Sequence, residues 1–225
     1  QKLSSQLFQS ISKFRFHIQS LNEKNRSLAA KCLILIAQNS QYIEECLLQN
    51  VHLKTYQSII NLSYTPHVFD LAVLFIQSEV YDDYITYDFN SYCNSLLDTC
   101  DQDMTSFFIL LSELMPKINK ILYQQGTIDK ILEVAINGSF ENMKSATFCL
   151  IDFMSTVDSQ IQIETARNGA FEACCNLVGT GVDSNVNLLV ILQTIHDFLK
   201  LDSSIFLDIA LELDIGSIFS SSEIE

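Results

Sequence analysis

The sequence predicts an all-α protein in which a unit of about 40 residues recurs along the chain. Residues 125–132, Gln-Gly-Thr-Ile-Asp-Lys-Ile-Leu, resemble residues 168–175, Asn-Gly-Ala-Phe-Glu-Ala-Cys-Cys. Looser copies begin near Asn50, Asp88 and Asp214. A unit of this size cannot bury its apolar face alone, so we expect neighbouring copies to share one continuous core.

The composition supports helices independently of the repeat. Hydrophobic residues make up 48% of the 225 residues, which is enough to fold a large core. Only 6 Gly and 2 Pro are present. An all-β chain of this length needs many more turn residues to reverse its strands, so the composition favours helices.

Apolar residues recur at spacings of three and four, which is typical of helices with one buried stripe. The four predicted stripes are Leu28, Cys32, Leu35 and Ile36; Phe69, Val73, Phe75 and Ile76; Phe107, Leu110, Leu111 and Leu114; and Ala146, Cys149, Leu150 and Phe153. The boundary residues add detail. Ser20 and Glu23 have the spacing of a capping box, Thr65-Pro66 suits an N-cap and first helical residue, and Pro116 should end or kink a helix.

Short helices are predicted at 117–125 and 158–167, each followed by a glycine of the recurring segment. We expect Gly126 and Gly169 to occupy a bend between two helices. A left-handed backbone there is easiest for glycine and is tolerated by asparagine at Asn50. One unit is then a short helix, a bend, a medium helix and a long helix.

The chain therefore resembles the armadillo-repeat family, and more loosely the HEAT arrays. The residues that carry the resemblance are Gly126, Ile128, Ile131 and Leu132 with Ala146, Cys149, Leu150 and Phe153, and Gly169, Phe171, Cys174 and Cys175 with Leu189, Leu192 and Ile195. It implies a right-handed α-α superhelix, a solenoid of about five degenerate repeats in a single domain over 1–225. The motif is specific for the fold and says nothing specific about activity.

Members of that family that hold extended peptides carry a Trp and Asn ladder on the third helix of each repeat. This chain has no Trp, and the positions near Lys31 and Leu35, or Phe148 and Asp152, do not supply the Asn. Capture of an extended peptide in that manner is not expected.

The net charge of -14 argues against nucleic acid and anionic membranes as partners, because the chain would repel phosphates. It favours a protein partner with basic groups, although excess Asp and Glu also serve simply to keep a chain soluble. Seven cysteines, mostly on apolar helical faces, suggest reduced thiols and a cytoplasmic or nuclear location. Neither a membrane span nor a signal peptide is expected. The start at Gln1, within an apolar pattern, suggests a processed product or a segment of a longer chain.

Two sets of residues are candidates for partner binding. The first is a cluster of tyrosines and carboxylates, which suits a basic partner: Tyr81, Asp82, Asp83, Tyr84, Tyr87 and Asp88. The second lies off the predicted stripes of the long helices and could line a concave surface: Lys31, Gln38, Phe148, Asp152, Gln193 and Asp197. The alternatives are a solvated linker helix whose tyrosines pack inward, and a Phe148 buried against the next repeat.

No catalytic, metal or cofactor site is expected, because the four histidines are scattered and no cysteines have metal-ligand spacing. Asp101 and Asp103 resemble a metal-nucleotide pair, but acidic residues ahead of a helix more often cap it. Gly179-Thr-Gly181 lacks the remainder of a phosphate loop. The sequence predicts a non-enzymatic protein-interaction module with no cofactor. The alternatives are a self-associating subunit of a larger assembly, and an enzyme that uses Asp101 and Asp103.

Overall fold

The computed structural model describes residues 2–38, 40–80, 82–99, 102–180 and 185–213, and within these ranges the secondary structure is helical, without a strand. This confirms the prediction of an all-α protein. The helices are α1 (Lys2–His17), α2 (Glu23–Ala37), α3 (Ser40–Leu48), α4 (Val51–Asn61), α5 (Pro66–Gln77), α6 (Tyr87–Thr99), α7 (Thr105–Gln124), α8 (Thr127–Asn137), α9 (Phe140–Ser155), α10 (Ser159–Thr165), α11 (Phe171–Thr180), α12 (Asn185–Leu201) and α13 (Ser203–Glu212). A 3₁₀ turn at Asp82–Tyr84 precedes α6, and a kinked segment at Ala166–Ala170, with a non-helical backbone at Gly169, joins α10 to α11.

The chain forms two compact units. The first unit comprises the described residues up to Ser95 together with Met104–Ile118, and the second comprises Leu96–Asp103 and the described residues from Asn119 onward. Each unit has its own core of packed helices. None of the described helices is both long and apolar enough to cross a membrane.

In the first unit, α2 packs against α1 and α5. The buried residue with the largest side chain in this contact is Arg26, which is 1% exposed. Its guanidinium donates to the carbonyls of Ser20, Leu21 and Ser63 and to the hydroxyls of Ser63 and Thr65, over 2.6–3.2 Å. A single cation thus joins the turn before α2 to the loop before α5, and its acceptors among the described residues are carbonyl and hydroxyl oxygens.

The predicted stripe on α2 is wrong. The buried face of α2 consists of Arg26, Ala29, Ala30, Leu33 and Ala37, whereas Leu28 and Leu35 are exposed. Alanine side chains are small and allow the neighbouring helices to approach closely. Close packing therefore favours alanine over leucine on the buried face of α2. The stripes predicted for α5, α7 and α9 are confirmed, since all twelve of their residues are buried.

In the second unit, α8 packs against α9, and α11 packs against α8, α9 and α12. At the last helix an aromatic cluster forms from Phe171, Phe198 and Phe206, whose ring centroids lie 5.2–6.0 Å apart. All three rings are buried, so the cluster anchors α13 to α11 and α12. On α12, two of the residues that carry the resemblance differ in burial, since Leu189 is exposed and Ile195 is buried. Ile191, which was not among them, is buried as well.

The expected left-handed bends are confirmed at three copies of the repeated segment. Asn50, Gly126 and Gly169 have φ of 53°, 69° and 131° and lie between a helix and the next medium helix, α4, α8 and α11 respectively. The copy near Asp88 differs, since Asp88 lies within α6 and the left-handed residue of that region is Glu79. Asp214 is outside the described residues.

The backbone at the two glycines differs in a way that substitution can test. We expect Gly126→Asn to change the free energy of unfolding by less than about 0.5 kcal/mol, because Asn50 already adopts a similar conformation. Gly169→Asn should cost about 1–3 kcal/mol, since φ of 131° lies outside the region asparagine tolerates and a Cβ would lie 2.6 Å from Ile136 Cδ1. Urea denaturation of both variants measures this, and equal losses would contradict it.

Other predicted boundaries have mixed outcomes. Thr65 is the N-cap of α5 and Pro66 its first residue, as expected. The capping box at Ser20 is wrong, because α2 is capped by Asn22, whose side chain accepts from the Asn25 amide. Pro116 does not end a helix but lies inside α7, so residues 117–124 continue that helix instead of forming a separate one. Proline lacks a backbone amide donor, but Pro116 does not interrupt the helix at this position.

Several side-chain hydrogen bonds join residues 35 to 40 positions apart in the chain. In the first unit they link Gln19 to Gln57, Arg26 to Thr65, Ser27 to His67 and Gln77 to Glu113. In the second they link Asn142 to Gln102, Asn119 to Thr156 and Arg167 to Asp202. Side-chain hydrogen bonds at the spacing of the repeated segment therefore occur within each unit, and in the first unit α2 also packs against α5.

Candidate functional site

The cluster of tyrosines and carboxylates divides into a buried part and an exposed part. Tyr84 is fully buried, and its ring meets Tyr56 and Phe89 edge to face at 5.5 and 5.8 Å. This agrees with the alternative in which a tyrosine of this segment packs inward, and the ring is not presented at the surface. The 3₁₀ turn aims this ring inward, where aromatic packing holds the segment against α4 and α6.

The exposed part consists of Asp82, Tyr87 and Asp88. Tyr87 and Asp88 lie in the first turn of α6, and Thr86 caps this turn by accepting from the Phe89 amide at 3.1 Å. An ordered helix start thus holds a tyrosine ring and a carboxylate in solvent side by side. Tyr81 and the side chain of Asp83 are outside the described residues.

A cleft of about 390 Å³ opens beside Asp88. Its lining residues come from the turn after α1, from α4 with the residue that follows it, and from α6, and they are Gln19, Tyr56, Gln57, Ile60, Asn61, Leu62 and Asp88. The Tyr56 hydroxyl and Thr86 Oγ1 are 2.7 Å apart, while Gln19 donates to Gln57 over 2.9 Å. These bonds order the cleft walls. Sequence reasoning missed the cleft because Gln19 and Asp88 are far apart in the chain.

The second set of candidate residues is largely exposed but does not form one described site. Lys31 is on α2 and Gln38 follows it, while Asp152 is on α9. On α12, the Gln193 side chain donates to Asp197 over 3.0 Å. The ring of Phe148 is half-buried, so it is neither fully exposed to a partner nor fully buried against the next repeat. Lys31 and Gln38 belong to the first unit and the others to the second.

The second unit has another open cleft, of about 580 Å³, lined by Ser159, Gln160, Ile163, Glu164, Arg167 and Asn168. The hydrogen bond from the Tyr123 hydroxyl to Glu164 raises the pKa of Tyr123, with smaller contributions from desolvation and nearby carboxylates. Glu164 and Arg167 give this cleft groups of opposite charge.

The thiols of Cys32, Cys46, Cys174 and Cys175 are free, as expected, while Cys100 is outside the described residues. Burial raises the pKa of Cys46 to about 11 and that of Cys175 to about 12, with a smaller contribution from a neighbouring glutamate in each case. Such thiols remain protonated at neutral pH and are poor nucleophiles. Asp103 is exposed ahead of α7, and Asp101 is outside the described residues.

The described residues contain no group of three or more His, Cys, Asp or Glu side chains arranged to hold a metal ion. Comparison of the sequence with models of protein families and with curated proteins finds no match to either.

Proposed function

We propose that the protein is a non-enzymatic interaction module of the armadillo-like kind, whose helical repeats display a surface to a protein partner. The observation that carries the proposal is the recurrence of a helix, a left-handed residue, a medium helix and a longer helix. It occurs at Asn50, Gly126 and Gly169. The hydrogen bonds between residues 35 to 40 apart support the same repeat. Stacked repeats give a binding partner a long surface.

The binding site we propose comprises Asp82, Tyr87, Asp88 and the adjoining cleft, and its partner is a basic segment of another protein. The Tyr87 ring can accept a cation on its face, and the two carboxylates can pair with Lys or Arg. Gln57 and Asn61 at the cleft offer amide groups for hydrogen bonds to a backbone. The excess of negative charge would also speed the approach of a basic partner.

A fluorescent arginine-rich peptide serves as the probe for this site, with binding followed by fluorescence anisotropy. We expect Asp82→Asn with Asp88→Asn to weaken binding by about three- to tenfold, because both carboxylates are exposed and close to the proposed contact. Tyr87→Ala should weaken binding by about two- to fivefold through loss of the cation–π contact. None of these changes should unfold the protein, since exposed charges contribute little to stability.

The matched control is Glu44→Gln with Glu133→Gln, which removes the same number of negative charges from exposed positions on α3 and α8. We expect its affinity for the peptide to stay within about twofold of the original protein at physiological salt, where screening limits the reach of charge to about 8 Å. If both double variants weaken binding equally, the acidic residues act only through net charge, and the proposed site is wrong.

A further inference from the structure

The charges of this chain are strongly segregated along the sequence. Residues 1–43 contain six Lys and Arg side chains and a single acidic one, Glu23, whereas residues 44–225 contain seven basic and 26 acidic side chains. The acidic protein therefore begins with a basic region. Charge asymmetry of this kind commonly marks a surface with a binding role.

One face of α2 concentrates this basic character together with exposed leucines. Lys24, Leu28, Lys31 and Leu35 follow spacings of four, three and four, which place them on one face of a helix. Leu28 and Leu35 are 62% and 72% exposed, and both lysines are exposed. Neither lysine makes an ion pair with a described residue. We call these four residues the α2 face.

The last described helix carries a face of opposite charge. On α13, Phe206 points into the core, while Leu207 and Leu211 are 52% and 78% exposed. Asp208 and Glu212 are also exposed and each follows one of these leucines. We call Leu207, Asp208, Leu211 and Glu212 the α13 face. Both faces thus present two leucines and two charges, basic on α2 and acidic on α13.

We propose that the α2 face of one molecule binds the α13 face of a second copy of this chain. The spacing of the apolar groups is compatible with this contact. Leu28 and Leu35 are about 10 Å apart along the axis of α2, and Leu207 and Leu211 about 6 Å along α13, from the rise per residue of a helix. The leucines of α13 can therefore lie between those of α2, as ridges pack into grooves.

The charges make the pairing selective. Lys24 and Lys31 flank Leu28 and can reach Asp208 and Glu212 of the second copy through their long, flexible side chains. Two α2 faces would repel each other, and so would two α13 faces. The contact is therefore between different surfaces of two molecules, which is a heterologous arrangement. It stands independently of the basic partner proposed above, because it uses neither Tyr87 nor the carboxylates beside it.

Sedimentation velocity of the full chain, over roughly a hundredfold range of concentration, tests the proposal. We expect reversible self-association that weakens when NaCl is raised from about 0.05 to about 0.5 M, since salt screens exposed charges. Lys24→Glu with Lys31→Glu, and separately Asp208→Lys with Glu212→Lys, should each weaken self-association by at least about tenfold. Circular dichroism verifies that both variants remain folded.

Mixing the two variants is the decisive step. The acidic α2 face of the first variant now matches the basic α13 face of the second, so the mixture should associate although each variant alone does not. Lys120→Glu with Lys200→Glu, at exposed positions on α7 and α12, is the control with the same change in net charge as the Lys24→Glu, Lys31→Glu variant, and it should associate like the original chain.

Three results would overturn the proposal. The first is an original chain that stays monomeric at every concentration, because the α2 face would then not bind a second copy. The second is a control variant that loses association as fully as the other two. The third is a mixture that fails to restore association, because the two faces would then not meet.

Discussion

Replacing Arg26 by alanine is expected to destabilise the first unit by about 3–5 kcal/mol. The guanidinium is buried and supplies donors to three carbonyls and two hydroxyls, and these lie in the turn before α2 and the loop before α5. Removing it takes the donors away from the buried Thr65 hydroxyl and from the partly buried acceptors of Ser20, Leu21 and Ser63, and it leaves a cavity beside α5. Urea denaturation combined with hydrogen exchange measures the loss and locates it.

Two further substitutions separate the causes. Arg26→Met retains much of the apolar volume and removes every donor, so a loss close to that of alanine would assign the effect to hydrogen bonding. Arg167→Ala is the control, since its contact with Asp202 spans 3.4 Å between partly exposed groups and should contribute less than about 1 kcal/mol. A loss below about 1 kcal/mol for Arg26→Ala would contradict the role given to this residue.

The second large effect is expected for Phe206→Ala, with a cost of about 3–5 kcal/mol in the second unit. Phe206 is fully buried and its ring lies 5.2 Å from Phe171 and 5.6 Å from Phe198. It is the fully buried side chain through which α13 contacts the core. We therefore expect amide hydrogen exchange to rise first in α13 and next in α11 and α12.

The control for this substitution is Phe16→Ala. Phe16 is an exposed phenylalanine on α1, so its truncation should change the free energy of unfolding by less than about 0.5 kcal/mol. An equal loss in both variants, or exchange that rises uniformly over the second unit, would show that the aromatic cluster does not specifically hold α13.

Local sequence patterns located only part of the candidate binding site. The tyrosines and carboxylates of residues 81–88 predicted a binding segment, and Tyr87 and Asp88 of this segment are exposed. It could not reveal that Tyr84 is buried, because that depends on Tyr56, far away in the chain. The adjoining cleft is likewise assembled from the turn after α1, from α4 and from α6, whose proximity no local pattern encodes.

The sequence by itself determined that the protein is helical and that the backbone is left-handed at Asn50, Gly126 and Gly169, whereas the left-handed Glu79 was not predicted. These features depend on short-range physics, namely the steric freedom of glycine and the period of apolar residues along a helix. Only the tertiary structure decided which face of α2 is buried. Leucine would be chosen for a core by hydrophobicity alone, but the close approach of α5 favours Ala29 and Ala30 and leaves Leu28 and Leu35 in solvent. The burial of a helix face depends on its neighbours, and those neighbours exist only in the folded chain.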